Sequence, residues 1–176
     1  DLARAILECV EAGARILNLS VALGQASPEG ERRIQEALDH AARRGVLVVA
    51  AAGNVGSIGS SPITRHPGAI PVVAYDSEAR PMGSSNLGAS IGRRGLGAPG
   101  GQVTSLGSEG RPVTGGGTSA AAPFVSGTIA LLWSVFPAAT AAQIRMAITQ
   151  TSGPRRVSVV PPLLDAWKAY QAMNSA

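Results

Sequence analysis

The spacing of apolar side chains divides the chain into alternating helices and strands. Leu2, Ile6, Leu7 and Val10 recur at helical spacing, with Asp1 placed to cap the start and Gly13 to stop the end. Ile16 to Ser20 is a short apolar run that reads as a buried strand. Ser27-Pro28-Glu29 joins a capping serine, a proline at the first helical position and an acid. This predicts a helix from there to Arg44, ended by Gly45. Val46 to Ala52 is continuously apolar, as a strand covered on both faces should be, and Ala69 to Tyr75 reads as another strand. The stretch 76–117 is rich in Gly, Ser and Pro and is predicted to hold short strands near 95–98 and 102–106 between loops. From Thr118 to Phe136 the side chains are first small and then apolar, the pattern of a largely buried helix. Pro137 interrupts it, and further helices are expected over 141–149 and 163–173.

Helix, strand, helix, strand with short connections implies parallel strands joined by right-handed crossovers. The predicted fold class is α/β, three-layer, with a mostly parallel sheet and helices on both faces. No repeat, low-complexity tract or linker divides the chain, so residues 1–176 read as one domain.

Composition narrows this picture. A chain of 176 residues with 45% hydrophobic side chains can bury a sizeable core. No run approaches the roughly 20 apolar residues of a membrane span. The start at Asp1 lacks the charged and apolar segments of a signal peptide, and nothing here indicates a compartment. Cys9 is the only cysteine, which excludes an intrachain disulfide and a multi-cysteine zinc site. It reads as a small buried hydrophobe. The net charge of +4 is carried almost wholly by arginine, Lys168 being the one lysine. The pairs Arg43-Arg44, Arg93-Arg94 and Arg155-Arg156 are scattered and lack aromatic companions, so they read as solvated surface rather than a nucleic-acid platform. No acidic cluster suggests a metal, and no cofactor is expected.

Three stretches combine unusual residues with a special backbone context. Gly115-Gly116-Gly117-Thr118-Ser119-Ala120-Ala121-Ala122-Pro123 leads three glycines into a serine at a helix start. Unpaired N–H groups there favour a developing oxyanion. Pro123 cannot donate back to the carbonyl near Ser119, so irregular backbone is expected. On these grounds Ser119 is either a nucleophile or a helix cap. Ala50-Ala51-Ala52-Gly53-Asn54 lies at the carboxyl end of a buried strand, where open α/β sheets bind ligands. Asn54 is either a donor into a cleft or a turn residue. Asn18-Leu19-Ser20-Val21-Ala22 is a third strand end on the same side of the sheet.

Together the three stretches resemble the subtilisin family of serine proteases, in the family's order. GTSAAAPFVSGTIALL resembles the nucleophile helix, GVLVVAAAGN the strand that ends in the oxyanion asparagine, and ARILNLSVALG the strand that ends in a substrate-binding edge. Weaker similarities lie in HPGAIPVVAYDS, GSSNLG, GAPG and AAQIRMAITQTS. The resemblance implies Ser119 as the acyl-forming nucleophile and Asn54 as an oxyanion donor beside the Ser119 N–H. It implies Ser20, Val21 and Ala22 as one wall of the substrate cleft, with Ala51, Ala52 and Gly53 as the other. The partner would be a peptide or protein substrate bound by strand addition.

The family's catalytic Asp and His lie upstream of the first matched strand, so the chain is expected to be the C-terminal portion of one peptidase domain. His40, His66, Asp39, Asp76 and Asp165 match no catalytic position. The chain by itself is then expected to be inactive, and to pair with its own upstream segment or self-associate through the exposed sheet edge. Gly116 and Phe124 depart from the family's usual Asn and His. Two other readings compete. One is a protease-like binding or scaffold protein, catalytically silent. The other is a dinucleotide-binding domain, which the spacing of Gly53, Gly56 and Gly59 does not fit and which Ser60-Ser61-Pro62, read as a helix breaker, opposes.

Overall fold

The structure, a computed structural model, describes residues 1–21, 27–149 and 158–175. Helix α1 (Leu2–Glu11) is capped by the Asp1 carboxylate, which accepts from the Arg4 N–H. It leads to strand β1 (Ile16–Leu19). Helix α2 (Pro28–Arg43) starts on the Ser27 cap and Pro28, and Gly45 follows it with φ 71°. Strand β2 (Leu47–Ala51), the short helix α3 (Pro62–Arg65) and strand β3 (Ala69–Tyr75) come next. Helix α4 (Ala89–Arg94), strand β4 (Leu96–Pro99) and a hairpin of β5 (Val103–Leu106) and β6 (Pro112–Gly115) fill the glycine-rich stretch. Helices α5 (Thr118–Val135), α6 (Ala141–Thr149) and α7 (Ala166–Asn174) complete the chain.

Strands β1 to β4 form one parallel sheet in the order β1-β2-β3-β4, with Ile16 opposite Leu47, Val48 opposite Ala69 and Val72 opposite Leu96. Alternation along the strands sorts the core into layers. Leu47, Val49, Ile70, Val72, Ala74 and Leu96 face α5, α6 and α7. Leu17, Leu19, Val48, Ala50 and Ala69 face α1, α2 and α3. The three-layer α/β fold read from the sequence is therefore the fold observed. Every residue of β3 is buried, which explains why its apolar run has no polar alternation.

Four expectations need correction. Ser61-Pro62 starts a helix instead of breaking one: the Ser61 hydroxyl caps the Thr64 N–H, and the Thr64 hydroxyl accepts from the Ser61 N–H. Cys9 is exposed, because α1 buries the face carrying Ala3, Ile6 and Val10 and turns Cys9 away. Helix α5 is predominantly apolar and carries no charge, yet only one side is buried. Its inner side packs under the sheet, while Leu131 is 70% exposed and Phe124 and Val135 also face outward. By length and composition α5 would suffice to cross a membrane, but its inner side occupies the place of a core helix. Finally, α5 runs through Pro123 without interruption.

Candidate active site

The carboxyl ends of β1 and β2 lie side by side, since Leu19 pairs with Ala50. The N-terminus of α5 is brought to the same rim. Gly117, with φ 93°, turns the chain into the helix, and its N–H donates to the Gly100 carbonyl just beyond β4 at 2.6 Å. Ser119 is then exposed in the first helical turn, and Thr118 behind it is fully buried.

Asn54 meets this turn directly. Its Oδ1 accepts from the Thr118 N–H at 2.8 Å and from the Thr118 hydroxyl at 3.0 Å. The same hydroxyl accepts from the Gly53 N–H at 3.1 Å. Two donors on Oδ1 fix which end of the amide is oxygen. The Nδ2 hydrogens have no acceptor among the described residues, and the side chain is exposed. A donor is thus held open beside Ser119 by groups that use only its oxygen. Gly117 has to be glycine here: a Cβ would lie 2.9 Å from Asn54 Oδ1 and 3.0 Å from Nδ2.

Pro123 has a local consequence other than the irregular backbone expected. Lacking an N–H, it leaves the Ser119 carbonyl without its helical donor. The Ser20 hydroxyl, at the end of β1, donates to that carbonyl at 3.2 Å. Ser20 in turn accepts from Asn18 Nδ2 at 2.9 Å, and Asn18 Oδ1 accepts from the Ser126 hydroxyl at 2.9 Å. The first turns of α5 are therefore tied to the sheet edge by side chains on both sides of Pro123.

The structure brings Ser119, Asn54, Ser20, Ala51, Ala52 and Gly53 to one rim. Val21 is exposed beside Ser20, and Ala22 lies outside the described residues. Thr118 and Asn86 were missed by sequence reasoning. Asn86 Oδ1 accepts from Val55 N–H at 3.1 Å and Ser57 N–H at 3.2 Å, and the Asn86 N–H donates to the Gly53 carbonyl at 2.9 Å. The histidines lie at the opposite end of the sheet. His66, just before β3, is buried, with Nε2 3.1 Å from Asp39 Oδ1 and Nδ1 accepting from the Gly68 N–H. This excludes it from the cleft rim. His40, near the end of α2, bonds Glu11 at 2.8 Å. Asp76 closes a turn after β3. The Arg80 N–H on its Oδ1 is the leading cause that holds its carboxyl below the ordinary range, helped by the Arg80 guanidinium and the Glu78 N–H. Among the described residues no three His, Cys, Asp or Glu side chains gather as a metal site would.

Fold and rim together define a subtilisin-like protein, a three-layer α/β domain with a serine-bearing helix end against the carboxyl edge of a parallel sheet. The chain belongs to the subtilase family, whose model matches residues 1–170. A thermostable alkaline protease of Halalkalibacterium halodurans is 34% identical over 152 residues, which are 86% of this chain and 40% of that protein. Subtilisin DY of Bacillus licheniformis is 34% identical over 144 residues, 80% of this chain and 50% of that one. Among solved structures, the prenylagaramide maturation protease PagA superposes with a TM-score of 0.86 at 27% identity, covering 98% of this chain and 66% of that one. The self-cleaved protease domain of PatA gives 0.85 at 30% identity, covering 99% of this chain and 68% of that one. The chain thus spans half or less of these two curated relatives.

Proposed function

We propose that this chain is the nucleophile-bearing portion of a serine endopeptidase. The observation that carries the reading is the Asn54 amide, locked through its oxygen by Thr118 with its N–H groups left open beside Ser119. Ser119 Oγ adds to the scissile carbonyl carbon as its proton passes to a base. The negative charge that forms on the carbonyl oxygen is met by Asn54 Nδ2 and the Ser119 N–H. The C–N bond then breaks and the amine leaves with the proton. Water repeats the sequence on the acyl-enzyme, restoring Ser119. Residues 20–22 and 51–53 flank the substrate main chain as two extended walls.

The base comes from a segment upstream. Both histidines of the chain sit at the other end of the sheet, engaged with Glu11 and Asp39. The outer edge of β1 carries no paired strand among the described residues, and Phe124, Leu131 and Val135 leave the outer side of α5 apolar. A preceding segment that pairs with β1 and covers α5 would bring an Asp and a His to Ser119. Self-association of the chain through the same edge is the substitute when that segment is absent.

A fluorophosphonate probe followed by peptide mapping tests this. The full-length protein should be labelled rapidly at Ser119, and Ser119→Ala should not. Chain 1–176 alone should react far more slowly, since loss of the histidine in a subtilisin, a member of this family, costs about 10⁶ in kcat. Rapid labelling of the chain alone would refute the upstream base. No labelling of the full-length protein would favour a catalytically silent binding protein.

A further inference from the structure

The loop that carries Asn54 has little packing to hold it. Val55 is 81% exposed and Ile58 74%, so burial does not fix residues 53–59. What holds the loop is hydrogen bonding to residues 84–88. The Gly56 N–H donates to the Ser84 carbonyl at 2.7 Å, the Leu87 N–H to Ser57 at 3.0 Å, and the Gly59 N–H to Leu87 at 2.7 Å. Within this ladder Asn86 supplies the side-chain contribution. Its main-chain N–H takes the carbonyl of the residue before Asn54, and its Oδ1 takes the N–H of the residue after it. Oδ1 also takes the Ser57 N–H. The backbone is therefore gripped on both sides of Asn54 by one residue. Gly53 makes room for it: at φ 106°, a Cβ on Gly53 would run into Asn86 Nδ2.

We propose that Asn86 is a positioning residue for the oxyanion donor, acting through the main chain on either side of Asn54. The inference rests on the reading of Asn54 as that donor. Thr118 fixes the amide from its oxygen end, but the Cα from which the side chain springs is set by the loop. Without Asn86 Oδ1, the N–H groups of Val55 and Ser57 lose their acceptor, and the exposed loop is free to relax toward water. A shift of the donor of about 1 Å is enough to cost on the order of 10² in rate. Substrate binding through the two walls should change little, because the oxyanion exists only in the transition state.

The test is a double-mutant cycle on the full-length protein with a chromogenic peptide. Asn86→Ala should lower kcat about 30-fold and leave KM within about threefold. Asn86→Asp, which keeps an oxygen acceptor for both N–H groups, should recover most of that loss. In an Asn54→Ala background, Asn86→Ala should cost less than about twofold further, since the group it positions is gone. Should Asn86→Ala fail to fold, Asn86→Gln displaces the same amide by one methylene and should show the same kcat loss. Loss of kcat of equal size with and without Asn54 would overturn the proposal, as would a change confined to KM or unchanged activity. Unchanged kcat in Asn54→Ala alone would instead sink the oxyanion reading itself, and this proposal with it.

Discussion

Replacing Gly117 by alanine is the sharpest perturbation of the site, because one methyl group acts on both backbone and donor. At φ 93° an L-residue is strained, by about 1–3 kcal/mol. In a domain of this size that should lower Tm by roughly 2–12 °C. The new Cβ would also stand 2.9 Å from Asn54 Oδ1, 3.0 Å from Nδ2 and 3.1 Å from Cγ, so the amide has to move. Asn54 cannot keep both bonds from Thr118 while doing so. Removing such a donor altogether costs about 10²–10³ in kcat, a figure measured in a subtilisin and therefore a ceiling borrowed from the family. Displacement should approach its lower end, about 10². The assay is steady-state hydrolysis of a chromogenic peptide by the full-length protein, with Tm read on the same preparation. The expected result is a fall in kcat of about 100-fold with KM within about threefold. A folded Gly117→Ala enzyme with kcat within about twofold of the parent would refute the coupling of the helix entry to the oxyanion donor.

Ser20→Ala should remove the donor that serves the Ser119 carbonyl beside Pro123, costing about 1 kcal/mol and roughly 2–4 °C in Tm, and Ser20→Thr should restore it. Equal Tm for the parent and the alanine variant would show that water replaces the hydroxyl there. Asp76 titrates below the ordinary carboxylate range in the folded chain, so its charge stabilises the fold above its unfolded-state pKa. That contribution is lost as pH falls through the depressed folded value. Asn in its place should therefore lower Tm near neutrality, and the difference should close in strong acid. A gap that widens on acidification would reverse the assignment.

Where the sequence was informative, it was so through burial and caps. The ends of β3 coincide with those predicted because all seven residues are buried and its neighbours are not. Ser27 and Pro28 announced α2 because their chemistry at a helix start is local. The elements that escaped lack such signals. Strand β6 is exposed at every position, and α3 and α4 span only four and six residues, too short for a helical period. The outward apolar side of α5 was read as buried because hydropathy does not say which neighbour covers a face. At the site, glycines, a helix start and a strand end singled out Ser119 and Asn54 but left each between two readings, and only the family resemblance suggested roles for them. Thr118 reads as an ordinary first-turn residue, and Asn86 as one more turn former among Gly and Ser. Their roles rest on contacts 64 and 31 residues away, which no local pattern encodes.

Those separations also set when the site comes into being. The tie from Ser20 to the Ser119 carbonyl joins residues 99 apart. Contacts of such span repay their loop-closure entropy late, and parallel pairing is slow to form. The Ser119 turn thus reaches its geometry only after β1, β2 and the entry to α5 have been gathered. A chain emerging in order carries Ser119 for some time as an ordinary serine. The geometry proposed for it is thus a property of the completed fold and not of any local segment.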